Sequence, residues 1–251
     1  MLINASSLKG FGLSGLDGEI GKVKEFFFDD QFWAVRYLVA DTGNWLTDRQ
    51  VLISPHALLA INNDDQLINV KLTKSQIEDS PPLNSDKPVS RQFEEAYYGY
   101  HGFSPYWIGT SMWGYYPSIV TDPAKWMNPA QDAKTWDPHL RSTYDVMGHN
   151  IQALNGEIGH VKDFIIDDEM WAIRYLVIDT QNWWPGKTVL LSPQWLERIS
   201  WEESKVFVNL SQEAIRQSPE FTDKLLLNRK YEEDLHRYYK RHAYWDDVPL
   251  I

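Results

Sequence analysis

The sequence predicts a mainly β protein: two tandem small β-barrels, each with a C-terminal helical extension, related by a pseudo-two-fold. Three observations predict it. First, the chain repeats itself. Gly18-Glu19-Ile20-Gly21 returns as Gly156-Glu157-Ile158-Gly159, and the run Trp33 to Val39 returns as Trp171 to Val177. The offset of 138 residues holds without a gap from Gly10 and Gly148 to Trp107 and Trp245, and 23 of 38 positions from Gly18 to Pro55 are identical. That density marks an internal duplication. Second, each copy contains short β-branched and aromatic runs separated by turn residues, as small barrels and sandwiches do. Third, 251 residues accommodate two domains and a connector, since domains commonly run from about 50 to 250 residues. The expected boundaries are residues 1–107, a connector at 108–140, and residues 141–251.

Within the first copy, Gly18 to Asp30 reads as a strand that breaks at Asp29-Asp30-Gln31. Trp33 to Ala40 is apolar at nearly every position, which fits a strand buried on both faces. Asp41-Thr42-Gly43-Asn44 supplies turn chemistry. Val51 to Ile53, Leu58 to Ile61 and Leu67 to Leu72 complete the strands, and the last two flank the polar turn at Asn62 to Asp65. Thr73-Lys74-Ser75-Gln76 has the spacing of a capping box and opens a short helix that ends at Ser80-Pro81. Ser90 to Tyr100 predicts a longer helix with Phe93, Tyr97 and Tyr100 on one stripe, matched by Tyr231, Leu235 and Tyr238. Each stripe is expected to cover the open side of its barrel.

The connector has no copy and is rich in Gly, Pro and aromatic residues, including Trp113-Gly114-Tyr115-Tyr116-Pro117. Solvated linkers are usually polar, so this one is expected to pack. Two readings stand: packing across the repeats, or a surface for a partner, since aromatic clusters mark interaction sites. Asn44-Trp45 and Asn182-Trp183 persist in both copies at loop positions, either as barrel plugs or as surface anchors. Trp113, Tyr115 and Tyr116 join Asn44, Trp45, Asn182 and Trp183 as the candidate interaction surface.

Composition narrows the function classes. There are 35 acidic and 24 basic side chains, a formal charge of −11, and that field opposes nucleic acid and anionic lipid. No cysteine is present, so disulfides, thiolate nucleophiles and Cys-based metal sites are excluded. No apolar run approaches the ~18 residues of a membrane span. The N-terminus lacks the pattern of a signal peptide, so a cytoplasmic protein is expected, reaching membranes only through a partner.

The motifs with chemical potential are few. Gly10-x-Gly12-x-x-Gly15 fits the dinucleotide fingerprint, but a strand is expected after it where the fingerprint needs a helix. No histidine is shared by the copies: His56 faces Gln194, His160 faces Lys22 and His236 faces Tyr98. A duplicated histidine metal site is therefore absent. Ser54-Pro55-His56 reads as a turn at a strand end. The pairs Asp29-Asp30 and Asp167-Asp168 suit either a hard cation or, as favoured here, a turn in which carboxylates accept backbone N–H bonds. Arg36 and Arg174 sit inside apolar strands, where an unpaired guanidinium is costly. Their expected partners are Asp41 and Asp179, or Glu94 and Glu232 on the helices, in pairs that lock helix to barrel.

The run Gly-Glu-Ile-Gly-x-Val-Lys, then Asp-Asp-x-x-Trp-Ala-x-Arg-Tyr-Leu-Val-x-Asp-Thr, then Val-Leu-x-Ser-Pro resembles the PRC-barrel family. Both copies carry it, at residues 18–55 and 156–193. Arg91-Gln92-Phe93-Glu94-Glu95 and Arg229-Lys230-Tyr231-Glu232-Glu233 look like the extension found in bacterial tandem members. The resemblance implies a small β-barrel used as a protein-interaction or assembly module, with no shared catalytic residues and no cofactor. The function expected is a non-enzymatic module that binds a protein partner or itself, as a homodimer for example, but not nucleic acid. The rival expectation is a small-molecule-binding protein or enzyme with a pocket at the seam of the repeats, where Glu19, Glu157 or the Asp pairs do acid/base work.

Overall fold

A computed structural model describes residues 1–43, 45–46, 49–84, 89–119, 140–180, 186–222 and 227–246. The first repeat runs β1 (Leu2–Asn4), α1 (Ala5–Leu8), β2 (Gly12–Gly15), β3 (Gly18–Asp29), β4 (Val35–Asp41), β5 (Arg49–Ile53), β6 (Leu58–Asn62), β7 (Leu67–Val70), α2 (Lys74–Glu78), β8 (Leu83–Asn84) and α3 (Arg91–His101). The second runs β9 (Leu140–Ser142), α4 (Thr143–Val146), β10 (Asn150–Ala153), β11 (Gly156–Asp167), β12 (Ala172–Asp179), β13 (Thr188–Leu191), β14 (Leu196–Ser200), β15 (Lys205–Val208), α5 (Gln212–Gln217) and α6 (Arg229–Tyr239). The 138-residue offset carries into the structure: α6 begins and ends 138 residues after α3, and β11 does the same after β3. It also reaches back to β1 and β9, ahead of the first aligned glycines.

The protein is mainly β, with one sheet per repeat. The strand order is β6-β7-β2-β3-β4-β5-β8 in one sheet and the equivalent β14-β15-β10-β11-β12-β13 in the other. β2 with β7 and β10 with β15 pair in parallel, while β3 pairs antiparallel with β2, β4 and β9, and β12 with β13. Among the described residues no pair joins the two ends of either sheet. No described helix is long and apolar enough to cross a membrane.

Two compact units form, and neither is one repeat from end to end. One holds Ala5–Tyr144 with Asp167–Ala172, and the other holds Met1–Asn4, Asp145–Ile166 and Ile173–Ile251. The first unit therefore includes β9 on β3, and the second includes β1 on β11. The turn at Asp167–Ala172 also belongs to the first unit. Ala34 bridges Ala172, and the Val35 amide donates to the Trp171 carbonyl at 2.7 Å.

Local chemistry explains most element ends. β4 is buried from Val35 to Ala40, as expected of a doubly covered strand. Between β3 and β4 the chain turns through Trp33 at φ 56°, and Trp171 repeats this at φ 50°. A left-handed tryptophan is unusual. Stacking on Phe28, 5.2 Å between centroids, helps hold Trp33 there. The capping box before α2 is present: Gln76 N donates to Thr73 Oγ1 at 3.1 Å, and Thr73 N donates to Gln76 Oε1 at 2.9 Å. Ser90 and Asn228 cap α3 and α6. Ser54 begins a 3-10 turn and accepts from His56 N at 3.4 Å, so Ser54-Pro55-His56 forms a turn.

The long helices are rotated from the expected stripe. α3 buries Glu94, Tyr97 and Tyr98, and α6 buries Glu232, Leu235, His236 and Tyr239. Tyr100 and Tyr238, placed inward by periodicity, are exposed. The inward face carries a carboxylate because that carboxylate has partners on the sheet.

Candidate functional site

A cluster of ionisable and hydroxyl groups lies where α3 meets β4. Arg36, on β4, is fully buried and ion-paired to Asp29. Its guanidinium stacks 3.8 Å from the centre of the Tyr106 ring and 4.7 Å from that of Trp113, arrangements that stabilise a cation removed from water. Glu94, on α3, accepts hydrogen bonds from Tyr37 Oη at 3.1 Å and Tyr106 Oη at 2.5 Å. Its other oxygen pairs with Arg91 at 2.9 Å, and Arg91 lies 4.4 Å from the Trp107 ring centre. Tyr97 donates to the Leu52 carbonyl at 2.9 Å and accepts from Ser54 N at 3.1 Å. Helix, sheet and the segment after the helix are thus tied through one buried network.

The second unit repeats the design with the same residue types. Tyr175 and Tyr244 donate to Glu232 at 3.0 and 2.9 Å. Arg229 pairs with Glu232 at 3.4 Å and lies 3.9 Å from the Trp245 ring centre, and Arg174 lies 3.9 Å from that of Tyr244. Around this shared centre the packing is exchanged. In the first unit His56 stacks on Phe103, 5.4 Å between centroids, beside Ala57. In the second, Gln194 and Arg241 hold the positions of His56 and Phe103, and Trp195 replaces Ala57. Trp195 packs on His236 at 5.1 Å and Tyr239 at 4.6 Å. Aromatic volume moves from one position to another, which keeps a core filled.

The arginine partner differs from the first expectation. Arg36 pairs with Asp29, not Asp41, and Glu94 takes Arg91. Arg36 and Asp41 are five residues apart on one strand, so their side chains leave opposite faces. Asp29 lies beside Arg36, with its amide bonded to the Ala34 carbonyl at 3.0 Å. Asp41 instead accepts from Gly43 N at 3.0 Å. The same odd spacing separates Arg174 from Asp179, which is buried. The Asp-Asp turns use their carboxylates on the backbone. Asp29 accepts from Phe32 N at 2.6 Å, and Asp167 accepts from Glu169 N at 3.1 Å and Met170 N at 3.4 Å.

The proposed surface residues divide. Trp113 is 1% exposed, and its indole N–H donates to the Met170 carbonyl at 3.1 Å. It belongs to the core, because it covers a face of Arg36. Tyr115 is exposed and Tyr116 half-buried. Trp45 is half-buried and donates to the Ile20 carbonyl at 2.7 Å, with Lys74 Nζ 5.6 Å from its ring centre. Asn44, Asn182, Trp183 and most of the connector lie outside the described residues. The glycines at Gly10 to Gly15 lead into a β2–β3 hairpin instead of a helix, so they lack the geometry of a dinucleotide cradle. Glu19 is exposed, and Glu157 pairs with Lys205 at 2.8 Å. Among the described residues no group of three or more His, Asp or Glu side chains is placed to hold a metal ion.

Electrostatically the cluster is closed. Burial raises the Glu94 carboxyl above its ordinary range, with Arg91 opposing, and burial raises the Tyr37 and Tyr106 phenols. Glu94, Tyr37, Tyr106 and Arg36 are all buried, so the groups best suited to acid/base chemistry face one another. The second-copy equivalents Glu232 and Tyr175 are buried as well. Tyr106, Tyr244, Arg91 and Arg229 were not anticipated as site residues. The signal for them was identity across the copies at hydroxyl and charged positions just beyond the strands.

One histidine gives the structure a pH dependence. Burial lowers the His101 pKa to about 4, and the ring is stacked against Phe103, 5.2 Å between centroids. The unfolded chain therefore takes up the proton first, and His101 contributes a stability that is complete above an ordinary histidine pKa of about 6.5 and is lost as pH falls from there toward 4. Thermal midpoints measured from pH 7.5 to pH 4.5 should fall less steeply in His101→Phe than in the parent. Equal slopes would mean that the ring titrates in the folded state as it does in water.

No protein-family model matches the chain, and no curated protein matches it either.

Proposed function

We propose that the chain is a tandem PRC-barrel protein serving as a non-catalytic interaction or assembly module for a protein partner in the cytoplasm. The likeness at residues 18–55 and 156–193, and two sheets of one strand order, support the family reading. The interaction reading rests on one observation: both repeats expose the same apolar side chains. Leu16 and Leu154, at the tips of equivalent hairpins, are 65% and 66% exposed, and Tyr100 and Tyr238, on α3 and α6, are 44% and 36% exposed. A hairpin tip is ordinarily built from polar and small residues, and packing gives no reason to keep leucine at that place twice. Matched exposed apolar groups suit docking to another protein. The buried Arg–Tyr–Glu networks hold each helix on its sheet so that these groups keep fixed positions.

The test is the full chain carrying Leu16→Ser with Leu154→Ser. Exposed substitutions of this kind change stability by about 0.5 kcal/mol or less, so the thermal midpoint should stay near that of the parent. Crosslinking in the native host, read by mass spectrometry, should lose the partner held by the parent chain. An unchanged set of crosslinked proteins would refute a role for these leucines.

A further inference from the structure

β1 and β9 are equivalent arms, and each completes the sheet built from the other repeat. β1 pairs with β11, and Asn4 Nδ2 donates to Asp163 Oδ2 at 3.2 Å. β9 pairs with β3 in the register Phe27–Ser142, Phe28–Arg141, Asp29–Leu140, and Ser142 Oγ donates to the Glu25 carboxylate. Positions 25 and 163 are themselves 138 apart, so both arms use one recognition scheme. It consists of a short run of backbone pairing, a leading leucine (Leu2 or Leu140) and a polar third residue that reaches a carboxylate. The middle residue is free to differ, being Ile3 in one arm and Arg141 in the other. Phe26 N to Thr143 Oγ1 at 3.3 Å and Arg141 Nε to Asp30 Oδ2 at 3.2 Å further hold β9.

We propose that these acceptor strands also take the arm of a second copy of this chain, so that the protein associates with itself by reciprocal arm exchange. An arm arriving from another chain presents the same leucine, the same polar third residue and the same backbone as the resident one. Exchange of an identical element between protomers is a low-cost route to a dimer. A three-residue strand opens locally, far below the cost of unfolding a unit. Because the contacts made within a chain and between chains are the same, the tether decides the balance. The resident arm wins while its effective concentration exceeds that of other chains. Association therefore rises with protein concentration. The inference is independent of the partner surface proposed above, since Leu16, Leu154, Tyr100 and Tyr238 lie outside the arms.

The absence of cysteine makes a trapping experiment direct. Phe27 and Ser142 are opposed residues on paired strands, a placement that brings two Cβ atoms close enough for a disulfide. Full-length Phe27→Cys is mixed with full-length Ser142→Cys over a series of concentrations and then oxidised. Arm exchange predicts a disulfide-linked heterodimer that grows with concentration, reaching about tenfold above a mixture of Phe27→Cys with Leu59→Cys, whose leucine is exposed elsewhere. A heterodimer no more abundant than that control at every concentration overturns the proposal. Sedimentation velocity on the unsubstituted chain gives a second reading that needs no substitution. A dimer boundary should grow over the same series, and a single monomer boundary throughout would equally overturn it.

Discussion

Replacing Gly21 or Gly159 by alanine is expected to cost about 3 kcal/mol or more, among the largest losses open to a single methyl group. Gly21 has φ +153°, and a Cβ there would stand 2.1 Å from the Asp41 carbonyl oxygen. Gly159 has φ +144°, with the Asp179 oxygen 2.0 Å from its Cβ. Both obstacles are backbone atoms of the neighbouring strand, β4 or β12, so no rotamer change relieves the clash. The paired register of Lys22 with Asp41 would have to open. Urea midpoints should fall sharply in Gly21→Ala. Gly10→Ala is the control for backbone conformation alone, since Gly10 has φ +88° with no atom within 4 Å of the added Cβ. If both substitutions cost the same, the close strand approach contributes nothing and the second glycine of the Gly-Glu-Ile-Gly motif has another role.

Arg36→Met is expected to destabilise the first unit by about 3–5 kcal/mol, the usual loss when one member of a buried ion pair is removed. Asp29 would remain 4% exposed without its countercharge. Methionine would fill the slot under Tyr106 and Trp113 without the cation–π attraction. Adding Asp29→Asn should recover part of the loss. The Asn oxygen still accepts from Phe32 N while the orphaned charge is gone, so the double variant should be more stable than the sum of the singles predicts. Strict additivity in denaturant unfolding would show that the two side chains do not act as a pair. Arg174→Met should cost less, because Arg174 is only half-buried.

Much of the architecture was legible because the duplication acts as an internal comparison. β3 was expected at Gly18 to Asp30 and spans Gly18–Asp29, and the capping box at Thr73 forms as its spacing indicates. Misreadings arose where a short-range pattern met a long-range requirement. Periodicity placed Tyr100 inward, but the helix face is set by Glu94 reaching Tyr37, 57 residues away in sequence. Asp41 was near Arg36 in the chain, yet strand pairing brings Asp29 to it. For Trp113 two readings stood, packing and a partner surface, and the structure takes the first, with a buried guanidinium that nothing local announced for it to cover. The arms β1 and β9 leave no sequence signal for a related reason. Leu-Ile-Asn and Leu-Arg-Ser share one residue, and each finds its partner strand in the opposite repeat.

If the buried networks serve structure while the matched exposed side chains meet a partner, two full-length chains compared by quantitative crosslinking in the native host should behave differently. One carries Glu94→Gln with Glu232→Gln, and the other carries Leu16→Ser, Leu154→Ser, Tyr100→Ser and Tyr238→Ser. The account predicts that the folded glutamine chain keeps the parent's partner and the serine chain loses it. Loss of the partner from a folded glutamine chain, with the serine chain binding as the parent does, would contradict it.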